Sequence, residues 1–352
     1  MNRPGPIRQV AVSVLFLCQW LAAWAQPAAL TWKQLPPLPD KLGFAGSFAG
    51  VSGGALIVAG GANFPEAMPW AGGRKVWHDS IFVLPQPDGD WRIGFKLPRP
   101  LGYGVSVTTP DGVLCAGGSD SREHSRDVFL LCWRKDGVEL EALPPLPHPL
   151  ANACGARLGT TVYLAGGIAT PNATNALRNF WALDLAANPR AWRALESWPG
   201  PARMFAVAGV GDGSFFLFSG AELSSDATGR PVRRYLDDAY RFSPAKGWKR
   251  IADLPRPAVA APSPAITRRH QLLIVSGDDG KLVNFEPKSA HPGFPKSVLA
   301  YDLKTDSWIR LGESPLSRAT APEVEWQGCS IIPSGETRPG VRTPEVWGLK
   351  RR

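Results

Sequence analysis

Near the end of the chain the segment "SGETRPGVRTPEVW", residues 334–347, sets Glu336 and Arg342 six positions apart on either side of a Pro339-Gly340 turn. A carboxylate can take a proton from a substrate hydroxyl as a general base. A guanidinium stays charged and presents a planar fork of donors to a second carboxylate. The same residue types also form ordinary loop salt bridges, which contribute little. Position favours chemistry here, because of the glycine-ended segments described below only this one is followed by glutamate and a compact Pro-Gly turn. Arg203, Glu222, Asn63 and Asp278 follow strand starts or glycine pairs, where they are candidates to line a common channel. The five histidines, His78, His124, His148, His270 and His291, share no ligand spacing with one another, so a metal-dependent oxidase is disfavoured and no metal or other cofactor is expected.

Such residues need a scaffold, and the scaffold is repetitive. Six apolar runs end in a small pair: "ALIVAGG", "GVLCAGG", "TVYLAGG", "FFLFSG", "LLIVSG" and "SIIPSG". Their last glycines, Gly61, Gly118, Gly167, Gly220, Gly277 and Gly335, lie 49 to 58 residues apart, a period that signals a repeat architecture. Each run is followed by a polar loop and a second apolar segment: "SIFVL", "DVFLL", "NFWAL", "DAYRF", "SVLAY" and "EVWGL". Five are followed by an aromatic or apolar residue with Pro seven positions on, as in "WRIGFKLP" and "WKRIADLP"; the second copy has Leu140 in place of Trp. The sixth copy lacks this third signature. The only unpaired one, "WKQLPPLP" from Trp32 to Pro39, stands at the other end of the chain. In a ring of blades an N-terminal strand can complete the C-terminal blade and remove both exposed sheet edges. Residues 31–39 are therefore expected to be the outer strand of the blade built from residues 319–349.

Composition agrees with one large β domain. A 44% hydrophobic chain of 352 residues can bury a sizeable core, and its Gly and Pro residues punctuate short apolar runs rather than helices. The first residues, "MNRPGPIRQVAVSVLFLCQWLAAWAQ", carry Arg3 and Arg8, an apolar run and Ala23-Trp24-Ala25, the layout of a secretory signal cleaved before Gln26. That leaves residues 26–352 as a single domain, periplasmic or secreted, without stable membrane insertion. An uncleaved anchor is the alternative, although the run is short for a span of about 20 residues. Removing two arginines leaves 37 basic and 30 acidic residues, and these are dispersed, so no nucleic-acid partner is expected. Cys115, Cys132, Cys154 and Cys329 sit in apolar runs without C-x-x-C spacing and read as small core residues.

The glycine pairs, spaced tryptophans and unit length resemble the kelch family, which implies an all-β, six-bladed β-propeller closed by the N-terminal strand in the last blade. The repeated Trp residues are expected between blades as core. The stretches that break the repeat, "GFAGSFAGVSGGALIVAGGANFP", "WAGGRKVWHDSIFVL", "LGYGVSV" and "SGETRPGVRTPEVW", together with "SVLAYDLKTDSWIRLGESPLSRATAP", resemble the bacterial N-acetylneuraminate epimerases, secreted kelch proteins that interconvert sialic acid anomers. In that family the counterpart of "SGETRPGVRT" lies mid-chain and runs into that of "GFAGSFAGVSGG", so this chain looks like a cyclic permutation of it. The resemblance implies that Glu336 and Arg342 are the active-site pair, with Glu336 the general base and Arg342 a clamp on the sugar's carboxylate. It also implies that Lys75 is a substrate contact and that the partner is a small sugar. A non-catalytic carbohydrate-binding or protein-interaction propeller is the rival class, since a fold by itself does not select a function.

Overall fold

The structure, a computed structural model, describes residues 30–351 together with Met1 and Gly5. Apart from those two residues, the expected signal over 1–25 lies outside the described residues.

Each repeat folds into a four-stranded antiparallel blade, and six blades form a β-propeller. In the first, strands Phe48–Ser52, Ala55–Ala59, Ser80–Leu84 and Arg92–Lys96 pair in chain order. The next four blades begin with Val105–Thr108, Cys154–Leu158, Val207–Gly211 and Ile266–Arg268. These first strands contact one another around the axis, so they are the inner strands. The sixth blade runs Val324–Trp326, Cys329–Pro333, Val346–Lys350, and is completed by Trp32–Leu35 from the other end of the chain. That strand pairs antiparallel with the last one, Trp32 opposite Leu349 and Leu35 opposite Val346. The closure strand is shorter than residues 31–39, because Pro36 and Pro37 cannot donate to a ladder.

The small pair has two physical solutions. Gly60 adopts φ 63°, and a Cβ there would stand 2.1 Å from the Leu101 carbonyl oxygen of the next blade. In the last three blades a serine takes the place, at φ 55° to 60°, and its hydroxyl accepts a backbone N–H of the next blade instead: Ala258 on Ser219, Arg318 on Ser276 and Phe44 on Ser334, at 2.7 to 2.8 Å. The spaced tryptophans stitch the same seams further out. Trp91, Trp192, Trp248 and Trp308 each donate their indole N–H to a backbone carbonyl of the preceding blade, those of Pro36, Pro144, Glu196 and Ala252.

Arg203 belongs to this scaffold, not to a ligand site. It is fully buried, its two terminal nitrogens lie 2.8 Å from the two carboxylate oxygens of Asp238, and Trp198 and Tyr240 flank it. Arg318 takes the corresponding place in the seam between the fifth and sixth blades, where one terminal nitrogen lies 3.2 Å from Glu345 and Trp347 stands for Tyr240. A residue that recurs with the repeat positions blades, so its place near a strand start does not make it a channel-lining residue. Cys115, Cys132 and Cys154 are buried and Cys329 is half-buried, all as free thiols; burial pushes the Cys154 thiol up to about 12. Among the described residues no helix is long and apolar enough to cross a membrane.

Candidate functional site

At one end of the axial channel six residues, one per blade, share a left-handed backbone: Gly46, Tyr103, Asn152, Phe205, Ala260 and Thr320, with φ between 50° and 66°. Each donates its N–H to the carbonyl of its counterpart in the adjoining blade, Tyr103 to Gly46, Asn152 to Tyr103, and so on until Gly46 donates to Thr320, at 2.7 to 2.9 Å. These six bonds form a closed ring around the channel. A left-handed backbone costs an L-residue roughly 1–2 kcal/mol, so five non-glycine residues here store strain at the rim.

The residue before each ring position bridges the residue that follows each glycine of the repeat: Ala62, Ser119, Ile168, Ala221, Asp278 and Glu336. Five of the six therefore surround the same mouth as Glu336 in equivalent places. Only Asp278 and Glu336 are charged, and they come from adjacent blades.

Glu336–Arg338 and Val341–Arg342 form a short hairpin above the ring, with Glu336 directly opposite Arg342. The six-residue spacing thus makes a cross-strand pair. Arg342 Nη2 lies 2.8 Å from Glu336 Oε1 and 3.4 Å from the Tyr103 hydroxyl, and Nε donates to the Ala62 carbonyl at 3.3 Å. The Phe64 ring covers the guanidinium at 4.6 Å. Its side chain is 3% exposed, and Nη1 is buried with no hydrogen-bond partner among the described residues. Such a donor is costly to leave unmade. The guanidinium is already committed on one side to Glu336, so it offers an approaching anion one free donor rather than the whole fork.

The hairpin is braced from both flanks. Arg338 donates to the Ser289 carbonyl of the long fifth-blade loop at 2.8 Å. At the tip, Gly340 has φ 84°, and a Cβ there would lie 2.7 Å from Pro69 Cγ in the 3-10 turn Pro69–Ala71 of the first blade's loop. Gly340→Ala is expected to lower stability by about 1–2 kcal/mol, the cost of the left-handed residue alone. It should also displace the hairpin, so a thermal melt would show a modest drop while the site's activity falls further.

Burial raises the Glu336 carboxyl above its ordinary value, while Arg342 and Lys75 pull it back. Burial likewise pushes the Tyr103 hydroxyl up to about 12. Lys75 holds its ammonium 5.0 Å from the Tyr103 ring centre and 5.4 Å from that of Trp77. Asp278 accepts the Tyr235 hydroxyl at 2.9 Å and the Gly280 N–H at 2.9 Å. The structure therefore gathers Glu336, Arg342 and Lys75 with Tyr103 and Phe64, and sets Asp278 beside them.

Glu222 and Asn63 stand differently. Glu222 pairs with Arg234 across the hairpin Ala221–Ser225 and Pro231–Tyr235, at 2.7 Å. Asn63 is buried; its amide donates to the Gly43 carbonyl at 3.0 Å and its oxygen lies 2.8 Å from His78 Nε2. Its amide nitrogen is thus held by the segment before the first blade's first strand, and its oxygen by His78 of the loop that carries Lys75. Tyr103 and Phe64 were not singled out from the sequence, although both lie in stretches that break the repeat. The signal for Tyr103 is positional: like four of its ring counterparts it stands fifteen residues before the last glycine of its repeat. Among the described residues no three His, Cys, Asp or Glu side chains converge as a metal site would require.

A family model described as N-acetylneuraminate epimerase matches residues 19–140 and 143–286. The N-acetylneuraminate epimerase of Yersinia pestis (strain Pestoides F) is 41% identical over 134 residues, 33% of this chain and 33% of its own length. That of Brucella suis is 39% identical over 121 residues, 30% of each chain, and that of Vibrio cholerae serotype O1 is 37% identical over 123 residues, 31% and 32%. The chain spans about a third of the length of the curated relatives it matches. A solved structure, "Structure of YjhT", matches with a TM-score of 0.65 over 89% of this chain and 96% of that one, at 13% identity, a likeness of fold.

Proposed function

This chain belongs to the N-acetylneuraminate epimerase family, and we propose that it interconverts the anomers of N-acetylneuraminate or a related acidic sugar, with Glu336 as general base and Arg342 as carboxylate contact. The observation that carries this reading is the Glu336–Arg342 pair at the channel mouth, with Arg342 Nη1 buried and unpartnered. A sugar carboxylate on the anomeric carbon would satisfy that donor, and would set the anomeric hydroxyl beside the remaining oxygen of Glu336. Glu336 then takes the hydroxyl proton as the ring C–O bond opens, and rotation of the open form followed by reclosure yields the other anomer. Burial suits the role, since a raised carboxyl is a stronger base than an exposed one. Lys75 and Arg342, facing Glu336, favour an anionic ligand over a neutral sugar.

The test is to start from one pure anomer and follow equilibration by proton NMR at a pH where spontaneous exchange is slow. No acceleration for any acidic or neutral sugar leaves the chain a binding propeller. Arg342→Lys keeps the charge but removes the planar donor set, so KM should rise by about 10–100-fold, the worth of a charged hydrogen bond. An unchanged KM would remove Arg342 from substrate contact.

Two further readings belong with this proposal. The chain is a cyclic permutation of the family order, a reading supported by residues 43–46 and 334–343 lying side by side: Phe44 N–H donates to Ser334 Oγ at 2.7 Å and Gly335 N–H to the Phe44 carbonyl at 2.8 Å. A closed ring tolerates such a change of cut because blade contacts persist. The protein acts in the periplasm or outside the cell, on the strength of its leader-like first 25 residues. Sequencing the N-terminus of exported protein should then begin at Gln26.

A further inference from the structure

Opening a cyclic hemiketal moves two protons. The anomeric hydroxyl loses one, and the ring oxygen, on the same carbon, must gain one as the C–O bond breaks. Glu336 accounts for the first, and a second group at the mouth has to supply the other.

The neighbours can be weighed in turn. Arg342 stays protonated throughout and is held by Glu336, the Ala62 carbonyl and the Tyr103 hydroxyl. Burial holds the Tyr103 hydroxyl up at about 12, a poor proton source at neutral pH. Tyr235 donates its hydroxyl proton to Asp278, and Asp278 is filled by that bond and by the Gly280 N–H. His78 is engaged with Asn63. Lys75 differs from all of these. Its ammonium lies over the Tyr103 ring, whose hydroxyl touches Arg342, and no hydrogen bond or ion pair holds it among the described residues. Cation–π contact fixes the place of the charge without consuming its N–H donors. We propose, resting on the epimerase reading above, that Lys75 is the general acid that protonates the ring oxygen.

The proton balance closes. Glu336 takes the proton of the anomeric hydroxyl, the ring C–O electron pair passes to the ring oxygen, and that oxygen takes a proton from the Lys75 ammonium. After rotation, the Lys75 amine takes the hydroxyl proton back as the oxygen attacks the carbonyl from the other face. The carboxylic acid of Glu336 then returns its proton to the carbonyl oxygen. Both groups end as they began, and no co-reactant is needed.

The charges facing Lys75 suit the task. Lys75 is an exposed residue at the mouth, but partial desolvation there and the adjacent Arg342 lower its pKa, Glu336 on the same hairpin as Arg342 raises it, and Arg233 from the fourth-blade hairpin lowers it again. A lowered value makes the proton easier to give. The acid is present below that pKa, so the rate should fall as pH rises through a limb beneath the ordinary lysine value of 10.5. Glu336 supplies the opposite limb, and the two make a bell.

The experiment uses the full-length processed protein and N-acetylneuraminate, with wild type and Glu336→Gln as references. Lys75→Met should lower kcat by about 10²-fold or more, with a much smaller rise in KM from the lost positive charge, and should erase the descending limb of the pH profile. Lys75→Arg keeps the charge but holds its proton too tightly, so kcat should stay low. Methylammonium added to Lys75→Met should restore part of the rate. The proposal is overturned if Lys75→Met turns over at the wild-type rate, or if Lys75→Arg restores activity while Lys75→Met chiefly raises KM, which would make Lys75 a carboxylate contact. If wild type itself fails to accelerate exchange, the epimerase reading falls and takes the acid with it. A fast wild type, a slow Glu336→Gln and an unaffected Lys75→Met would sink Lys75 alone.

Discussion

Replacing Glu336 with Gln is expected to slow anomer exchange by roughly 10²–10⁴-fold, the usual loss when a general base is removed, with the melting temperature little changed. Gln keeps the size of Glu and an oxygen for Arg342 Nη2, now 2.8 Å from the carboxylate, so the hairpin should hold its shape. The pH profile adds a second readout. Burial raises the Glu336 carboxyl, so the protonated, inactive form persists to a higher pH than for an exposed glutamate, and the wild-type rate should climb with pH through a limb above 4.5. That limb should vanish in Glu336→Gln. A variant as fast as wild type would leave the family assignment intact and remove Glu336 as the base. Arg342→Lys should move the same limb, because loosening the ion pair leaves the buried carboxyl less compensated.

Deleting residues 30–39 is expected to cost the most stability of any change considered. The strand Trp32–Leu35 closes the ring, and its loss exposes the whole edge of Val346–Lys350. Leu35 and Leu38 are 6% and 2% exposed and pack against Phe44, Leu56, Val324 and Val346. Truncating each to alanine would cost about 2–5 kcal/mol, so removing both with their ladder should exceed the usual stability margin of a domain or leave it aggregating. Pro36 also accepts the Trp91 indole, so the seam between the sixth and first blades weakens as well. Thermal unfolding and light scattering of the truncated chain decide the matter; an unchanged midpoint would mean that the ring is stable open.

The number of blades was legible because it is written in local terms. The apolar run with its small pair and the Trp-to-Pro spacing each report a strand and a turn, and six copies with one third signature displaced to the N-terminus leave closure as the economical arrangement. Glu336 and Arg342 were legible for the opposite reason: they break the repeat. Arg203 was misread because its charge drew attention while its recurrence, as Arg318, did not; only packing revealed that Asp238 had already taken both of its terminal nitrogens. Tyr103 was overlooked because the ring it belongs to conserves a backbone conformation, not a residue type, and Gly46, Asn152, Phe205, Ala260 and Thr320 share no side chain with it.

By itself, then, the order of residues determined the all-β class, the sixfold repeat, the terminal closure and the pair that stands out from the pattern. These follow from hydrophobic periodicity and turn chemistry, which act over a few residues. The tertiary structure alone decided which charges meet. Glu336, Arg342, Lys75 and Tyr103 come from three blades and as much as 267 residues apart in the chain. They converge because six inner strands surround one axis and each glycine turn delivers its next residue to the same rim, so the site is set by ring closure and backbone hydrogen bonds that no local pattern encodes.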